Sequence, residues 1–232
     1  MSLNQLKEEV LEANLALVEK KLVISTWGNV SGYDPETGFI VIKASGIPYN
    51  SMKIEHMVVV DLDGKVVNTN YRPSSDTKTH ILLYREFAKF GIRGIVHTHS
   101  KFATSWAQSG LNIPCLGTTH ADYFVGDIPN TRLLTASEIA DDYEGNTGKV
   151  ILESMSGKDC LKMSSVLVHS HGPFVWGKTP AFAVLHSEVL EYISEMAFNN
   201  FILGRDRLPI IQNELAEKHY SRKFGVDAYY GQ

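Results

Sequence analysis

The stretch "GIVHTHS", residues 94–100, sets His97 and His99 two positions apart at the end of an apolar run. "SVLVHSHG", residues 165–172, repeats the pattern with His169 and His171. Side chains two apart on a β-strand project to the same face, so each pair can aim its imidazoles at one point. Two such strand ends can gather several neutral nitrogen donors, a set that suits zinc, manganese, iron or cobalt. One His-x-His is equally consistent with hydrogen-bonded histidines at a strand end; the second pair tips the balance towards metal chemistry. Asp76 and His80, one helical turn apart in "PSSDTKTH", can share a helix face and offer a carboxylate and a further nitrogen. Their plainer roles are a helix N-cap and a partly buried histidine. Spacing alone leaves open the choice between Asp76 and His80, and between His169 and His171.

Such a cluster needs a folded scaffold. The chain has 232 residues, 44% hydrophobic and 21% charged, enough to bury a sizeable core. One α/β domain over residues 1–232 is the economical expectation, since there is no internal repeat, linker or low-complexity segment. A formal net charge of -4 without a long block of either sign predicts a small-molecule ligand, with no nucleic acid and no membrane as partner. Cys115 and Cys160 lack the number and spacing of a disulfide framework or thiolate zinc site, and read as reduced, buried thiols. No secretory pattern opens the chain, and no apolar run approaches the roughly 18 residues of a membrane span, which predicts a cytoplasmic protein.

Hydrophobic periodicity predicts a helix over residues 2–21, capped by Ser2 and Gln5, with Leu3, Leu6, Val10, Leu11, Leu15 and Val18 as its apolar stripe. "GFIVIKAS" and "HMVVVDLDGKVV" read as strands, the second a hairpin turning at Asp63-Gly64. Ser74, Ser75 or Asp76 can cap a helix that closes near Gly91, and "IRGIVHTHS" follows as a buried strand. Ser100 can cap a helix through Gln108 with Gly110 as its stop. A helix around "ASEIADDYE" is expected to break at "GN" before another begins near Thr147. Residues 179–224 read as two helices separated around Leu208 and Pro209.

"GPFVWGKT", residues 172–179, matches the phosphate-loop pattern of Gly, four residues, Gly-Lys-Thr. That loop cradles phosphate with free backbone N–H groups, whereas Pro173 lacks one and Phe174-Val175-Trp176 favour a strand. Nucleotide hydrolysis is therefore not expected. The absence of a Gly-x-Gly-x-x-Gly fingerprint likewise disfavours a tightly held nicotinamide.

Together, "TWGNVS", "IKASG", "PSSDTKTH", "GIVHTHS", "GTTHADYF", "VLVHSHGPFVWGK" and "AYYGQ" resemble, in order and from the first helix to the last residue, the class II metal-dependent aldolase and epimerase family. The resemblance implies a three-layer α/β/α fold with a mostly antiparallel central sheet, assembled as a homotetramer. It implies Asp76, His97, His99 and His171 as ligands of one divalent ion per subunit, zinc first, with manganese or cobalt as alternatives. The phosphate of a ketopentose substrate would lie among Gly28, Asn29, Lys43, Ser45, Gly46, Ser74 and Ser75. Those residues combine backbone N–H groups, hydroxyls and a cation, the donors a phosphate dianion requires. Thr118, Glu144 and His219 are connected with the same site. Asp122 and Tyr230 match the family's acid/base pair, with Tyr230 crossing a subunit interface. Apart from the resemblance, Gly28-Asn29 and Ser45-Gly46 are ordinary turns, Lys43 an exposed strand residue, Ser74-Ser75 a cap, Asp122 a loop acid and Tyr230 part of a frayed tail.

The implied reaction is inversion at C4 of a ketopentose phosphate. The C4 hydrogen is not adjacent to the C2 carbonyl, so reversible cleavage of the C3–C4 bond replaces direct deprotonation, with the metal as Lewis acid and Asp122 and Tyr230 exchanging protons at the C4 oxygen. The same family carries two alternatives: a sugar-phosphate aldolase of the fuculose-1-phosphate type, and the adducin head, an interaction domain without the metal ligands.

Overall fold

The computed structural model describes residues 2–67, 69–204 and 209–230. Its sheet contains β1 (Asn29–Asp34), β2 (Phe39–Lys43), β3 (Met57–Val60), β4 (Val66–Val67), β5 (Gly94–His97), β6 (Ser165–Val168) and β7 (Gly172–Gly177). The order is β4-β3-β2-β1-β5-β7-β6, with every neighbouring pair antiparallel. The expected antiparallel α/β architecture is thus observed.

Period-two alternation sorts the strand residues into two apolar faces. Val41, Met57 and Val59 meet Leu6 and Val10 of α1 (Leu3–Glu19), while Val30 and Val96 meet Leu17 of α1 and Ala183 and Val184 of α6 (Pro180–Gly204). On the opposite face, Ile40, Val58, Ile95 and Trp176 pack with Ile81, Tyr84 and Phe87 of α2 (Thr77–Phe87) and Ile151 of α5 (Ala136–Ser154). Gly32, Gly94 and Gly177 lie in register across β1, β5 and β7. A Cβ at Gly32 would come within 2.7 Å of Leu6, and one at Gly177 within 2.7 Å of the Ala183 nitrogen. The glycine row therefore lets α1 and the start of α6 lie directly on the sheet.

Ser2 and Gln5 form the expected capping box on α1, worth about 1 kcal/mol. The buried stripe runs through Leu6, Val10, Ala13 and Leu17, so the expected Val18 is 44% exposed. Helical rotation carries residue 18 past the face that residue 17 occupies. The hairpin between β3 and β4 spans Asp61–Lys65, because Asp61 Oδ1 accepts the N–H groups of Asp63 and Lys65 and widens the turn beyond Asp63-Gly64.

Helix α5 does not break at Gly145-Asn146. Its non-helical residue is Asp142, whose carboxylate accepts the Lys78 ammonium at 2.7 Å and the Gly145 N–H, restarting the helix from within. β1 has no counterpart among the strands expected from periodicity. Its apolar residues are interrupted by Asn29, Ser31 and Gly32, each there for a packing or polar reason visible only in the sheet.

Helix α3 (Lys101–Ser109) has Ser100 at its N-cap and stops at Gly110, at φ 73°. Its first N–H groups are satisfied by Glu191 of α6, which accepts from Phe102 and Ala103 at 2.8 and 2.9 Å. α4 (Thr118–Ala121) packs against α7 (Asn213–Phe224). Of the expected break between the last two helices, Leu208 lies outside the described residues. Cys115 and Cys160 are free and buried, and burial pushes both thiols up to about 11. Among the described residues no helix is long and apolar enough to cross a membrane.

Candidate metal centre and anion-binding cleft

The β1–β5–β7 register places Asn29 beside His97 and His97 beside Phe174. The His97 ring stacks on Phe174 at 4.3 Å, and its Nδ1 donates to the Pro173 carbonyl at 3.0 Å. That bond fixes the tautomer and leaves Nε2 with its lone pair available. His99 lies beyond the end of β5, not on it, yet its Nε2 reaches 3.0 Å from Nε2 of His97. Ligand atoms of His97, His99 and His171 all lie within 4.8 Å of one another.

His169 does not join them. β6 ends at Val168, and Ser170 takes a positive φ of 62°, so the alternation expected for a continuous strand is lost. The His169 ring instead bonds the Ser170 hydroxyl at 2.9 Å, and the His169 backbone N–H donates to Thr131 Oγ1 at 3.0 Å.

Asp76 occupies the N-cap position of α2, but its carboxylate makes no cap bond. It accepts from the Asn29 amide at 2.6 Å, and the same amide reaches the Ser74 hydroxyl at 3.0 Å. Burial pushes the Asp76 carboxyl up; His97, His80, the Asn29 bond and His171 outweigh it and hold the group below the usual carboxylate range. His80 is turned the other way, fully buried, with Nδ1 bonded to the Ser31 hydroxyl at 2.7 Å. Burial lowers it to about 3. His99 is lowered to about 4 by burial and by His97, and His171 to about 3 by burial, His97 and His99. His99 and His171 are therefore neutral at pH 7, as ligation requires.

Two imidazole Nε2 atoms facing each other at 3.0 Å, with one fixed as an acceptor, a third imidazole alongside and an ionised carboxylate nearby, form a donor set that suits a shared divalent cation.

These residues line one end of a cleft of about 310 Å³ whose remaining wall is Thr26, Trp27, Gly28, Asn29, Lys43, Ser45, Gly46, Ser74 and Ser75. The 72–75 segment is strapped to the end of β2, since Ser45 N–H donates to Arg72 and Ser74 N–H to Lys43. Gly28 has φ 77°, and a Cβ there would lie 2.9 Å from the His97 carbonyl oxygen. Glycine thus lets the cleft wall approach the histidine strand. Lys43 is not an exposed strand residue. It is 2% exposed, its ammonium donates to the Thr26 carbonyl at 3.1 Å, and burial lowers its pKa against the pull of Asp76. A lysine carries three donors, so this buried cation has capacity for an anion.

Asp122, His219 and Tyr230 form a second cluster, on α4, α7 and the C-terminal tail, and are not among the residues lining the cleft. His219 Nδ1 lies 2.9 Å from Asp122 Oδ1. Thr118 begins α4, and its carbonyl accepts the Asp122 N–H. Glu144 lies on α5, its carbonyl accepting from the Thr79 hydroxyl at 2.7 Å.

Two neighbours escaped the sequence reading. Arg222 bonds Asp122, and its spacing of three from His219 on one helix is the signal that would have found it. Tyr143, with its hydroxyl 3.3 Å from His171 Nδ1, has no such signal, because the kink at Asp142 precedes it.

Residues 8–198 match the model of the class II aldolase and adducin N-terminal domain family. The chain is 50% identical over 233 residues to the L-ribulose-5-phosphate 4-epimerase UlaF of Salmonella paratyphi C, covering 99% of this chain and 100% of that one. The UlaF of Salmonella paratyphi A is also 50% identical, over 230 residues, with the same coverage. Among solved structures, an L-fuculose 1-phosphate aldolase superposes with a TM-score of 0.76 at 25% identity, covering 96% of this chain and 97% of that one. The L-fuculose 1-phosphate aldolase from Glaciozyma antarctica PI12 shares the fold at a TM-score of 0.75 and 16% identity, over 94% of this chain and 81% of its own. The chain belongs to the class II aldolase and adducin N-terminal domain family.

Proposed function

We propose that this protein is an L-ribulose-5-phosphate 4-epimerase, a single-domain cytoplasmic enzyme that interconverts L-ribulose 5-phosphate and D-xylulose 5-phosphate. The carrying observation is the cleft itself, which sets His97, His99, His171 and Asp76 at one end and the buried Lys43 with Ser45, Gly46, Ser74 and Ser75 along its wall. The full-length identity to UlaF supports the choice of substrate.

Asp76, His97, His99 and His171 would hold the divalent ion, with zinc the first choice. Bound there, it would supply Lewis acidity for the negative charge of the enolate that forms as the C3–C4 bond breaks. Gly28, Asn29, Lys43, Ser45, Gly46, Ser74 and Ser75 hold the phosphate, which keeps the aldehyde fragment in the cleft while it turns its other face. Asp122 takes the C4 hydroxyl proton on one face as the C3–C4 bond breaks, and Tyr230 gives a proton to the C4 oxygen on the other as the bond re-forms, with the roles reversed in the opposite direction. Thr118, Glu144 and His219 line the same substrate site. Tyr230 reaches the cleft from a neighbouring subunit of a homotetramer, which accounts for its standing apart from the cleft within one chain.

The test is incubation with L-ribulose 5-phosphate, following D-xylulose 5-phosphate against released aldehyde, with and without chelator and with single ions restored. Epimerisation that chelation abolishes is expected. Net release of aldehyde would favour the aldolase reading, which the fold shared with L-fuculose 1-phosphate aldolase keeps in view; full activity of a metal-free His97→Asn protein would refute both.

A further inference from the structure

Asp122, at the end of α4, and Tyr230, in the tail beyond α7, meet through one side chain. Arg222 Nε and Nη2 donate to Asp122 Oδ1 at 3.3 and 3.1 Å, and Nη2 also reaches Oδ2 at 3.2 Å. The same guanidinium lies over the Tyr230 ring, its carbon 4.2 Å from the centroid. The Arg222 backbone takes part as well, because its carbonyl accepts the N–H groups of Tyr229 at 2.9 Å and Tyr230 at 3.0 Å. The tail is thereby folded back over residue 222. A planar guanidinium bonds a carboxylate along its edge while presenting its face to an aromatic ring, a fixed geometry that the point charge of an ammonium does not impose.

The pattern on Asp122 is unequal. Oδ1 takes both His219 and Arg222, while Oδ2 takes one Arg222 N–H. Each carboxylate oxygen has two lone-pair sites, so Oδ2 keeps capacity to receive a proton. We propose that Arg222 is a positioning residue that binds Asp122 and Tyr230 into one acid/base unit with Oδ2 turned to the substrate, a role that rests on the epimerase reading. The unit moves as a whole, so the cleft that receives Tyr230 receives Asp122 from the same chain. Helix α7 has further anchors in the Tyr220 hydroxyl on the Leu161 carbonyl at 3.2 Å and the Lys223 ammonium 3.6 Å from the Tyr123 ring centroid. Removal of Arg222 should therefore leave the helix docked.

Arg222→Gln, Arg222→Lys, Asp122→Asn and their doubles in the full chain test this, by steady-state epimerisation, metal content and amide exchange of the 225–230 segment. Arg222→Gln is expected to lower kcat by about 100-fold with KM changed by no more than about threefold and metal content unchanged, the mark of misplaced chemistry rather than lost binding. Arg222→Lys should remain roughly tenfold or more below the parent, since the fork is absent. Added to Asp122→Asn, Arg222→Gln should cost less than about threefold more, because the two act as a unit. Exchange in the tail should rise by about fivefold or more. Parental kcat in Arg222→Gln, fully multiplicative losses in the double, or an unchanged tail overturns the proposal. A parent inactive on L-ribulose 5-phosphate fails the epimerase reading instead, and tail exchange then decides whether Arg222 holds Tyr230.

Discussion

Replacing Asn29 with alanine tests whether the histidine cluster and Asp76 act as one cation site. The amide donates to Asp76 Oδ2 at 2.6 Å and to Ser74 Oγ at 3.0 Å, and Asn29 is 2% exposed. Its backbone pairing with His97 in the β1–β5 ladder survives truncation of the side chain. A hydrogen bond to a charged group is worth about 1.5–3 kcal/mol, and removal of a partner that orients a metal ligand costs about 10–100-fold in affinity. Asn29→Ala is therefore expected to weaken zinc binding by about 10–100-fold, measured by competition with a chromophoric chelator at neutral pH, with circular dichroism confirming the fold. The Ser74 hydroxyl loses the same donor, so KM for the phosphorylated substrate should rise in zinc-saturated protein. Zinc affinity within about twofold of the parent would refute the reasoning, because it would mean either that Asp76 does not ligate or that its ligation does not depend on Asn29.

Lys43→Ala should separate the two ends of the cleft, raising KM for the sugar phosphate by about tenfold or more while leaving zinc affinity intact; an unchanged KM refutes the anion role. Gly28→Ala, at φ 77° and with its Cβ 2.7 Å from Val23 and 2.9 Å from the His97 carbonyl oxygen, should destabilise the fold by about 1–3 kcal/mol in urea titration; a parental midpoint counts against that crowding. In chelator-treated protein, His80 and His120, lowered by burial to about 3 and about 4, stay neutral in the fold but charge in the unfolded chain below about pH 6.5. The unfolded state then binds more protons, so stability present above pH 6.5 is lost as pH falls, by about 2 kcal/mol per histidine at pH 5; equal urea stability at pH 7 and pH 5 would exclude this. Lys178→Ala should leave epimerisation unchanged, and neither protein should bind ATP, since residues 172–177 are the paired strand β7; saturable ATP binding that Lys178→Ala weakens would reverse that expectation.

Much of the scaffold was legible because it is written in local chemistry. The capping box of Ser2 and Gln5, the Gly110 stop and the β2, β3, β5 and β7 runs each depend on neighbours within a few residues. β1 was not legible. Its residues answer to α1 through Gly32, to α2 through Ser31 and to Asp76 through Asn29, so no two-residue period survives. Glycine, the usual breaker, points to Gly145-Asn146 for the kink in α5, whereas the Asp142 carboxylate, which accepts the Gly145 N–H, sets it earlier. Arg222 belongs to a basic helix end, and its partner Asp122 lies 100 residues earlier, beyond the reach of any local pattern.

By itself the sequence determined the donor types: two His-x-His pairs, an aspartate a helical turn from a histidine, and a lysine two residues before a Ser-Gly pair. Side-chain identity is a covalent property, so it needs no fold. Selection among those donors belonged to the tertiary structure. The left-handed Ser170 turns His169 away and His171 inward, the Asn29 amide draws the Asp76 carboxylate off its cap, and the Ser31 hydroxyl holds His80 in the core. A cation site is an agreement among groups far apart in sequence, and only their packing fixes which lone pairs face a common point.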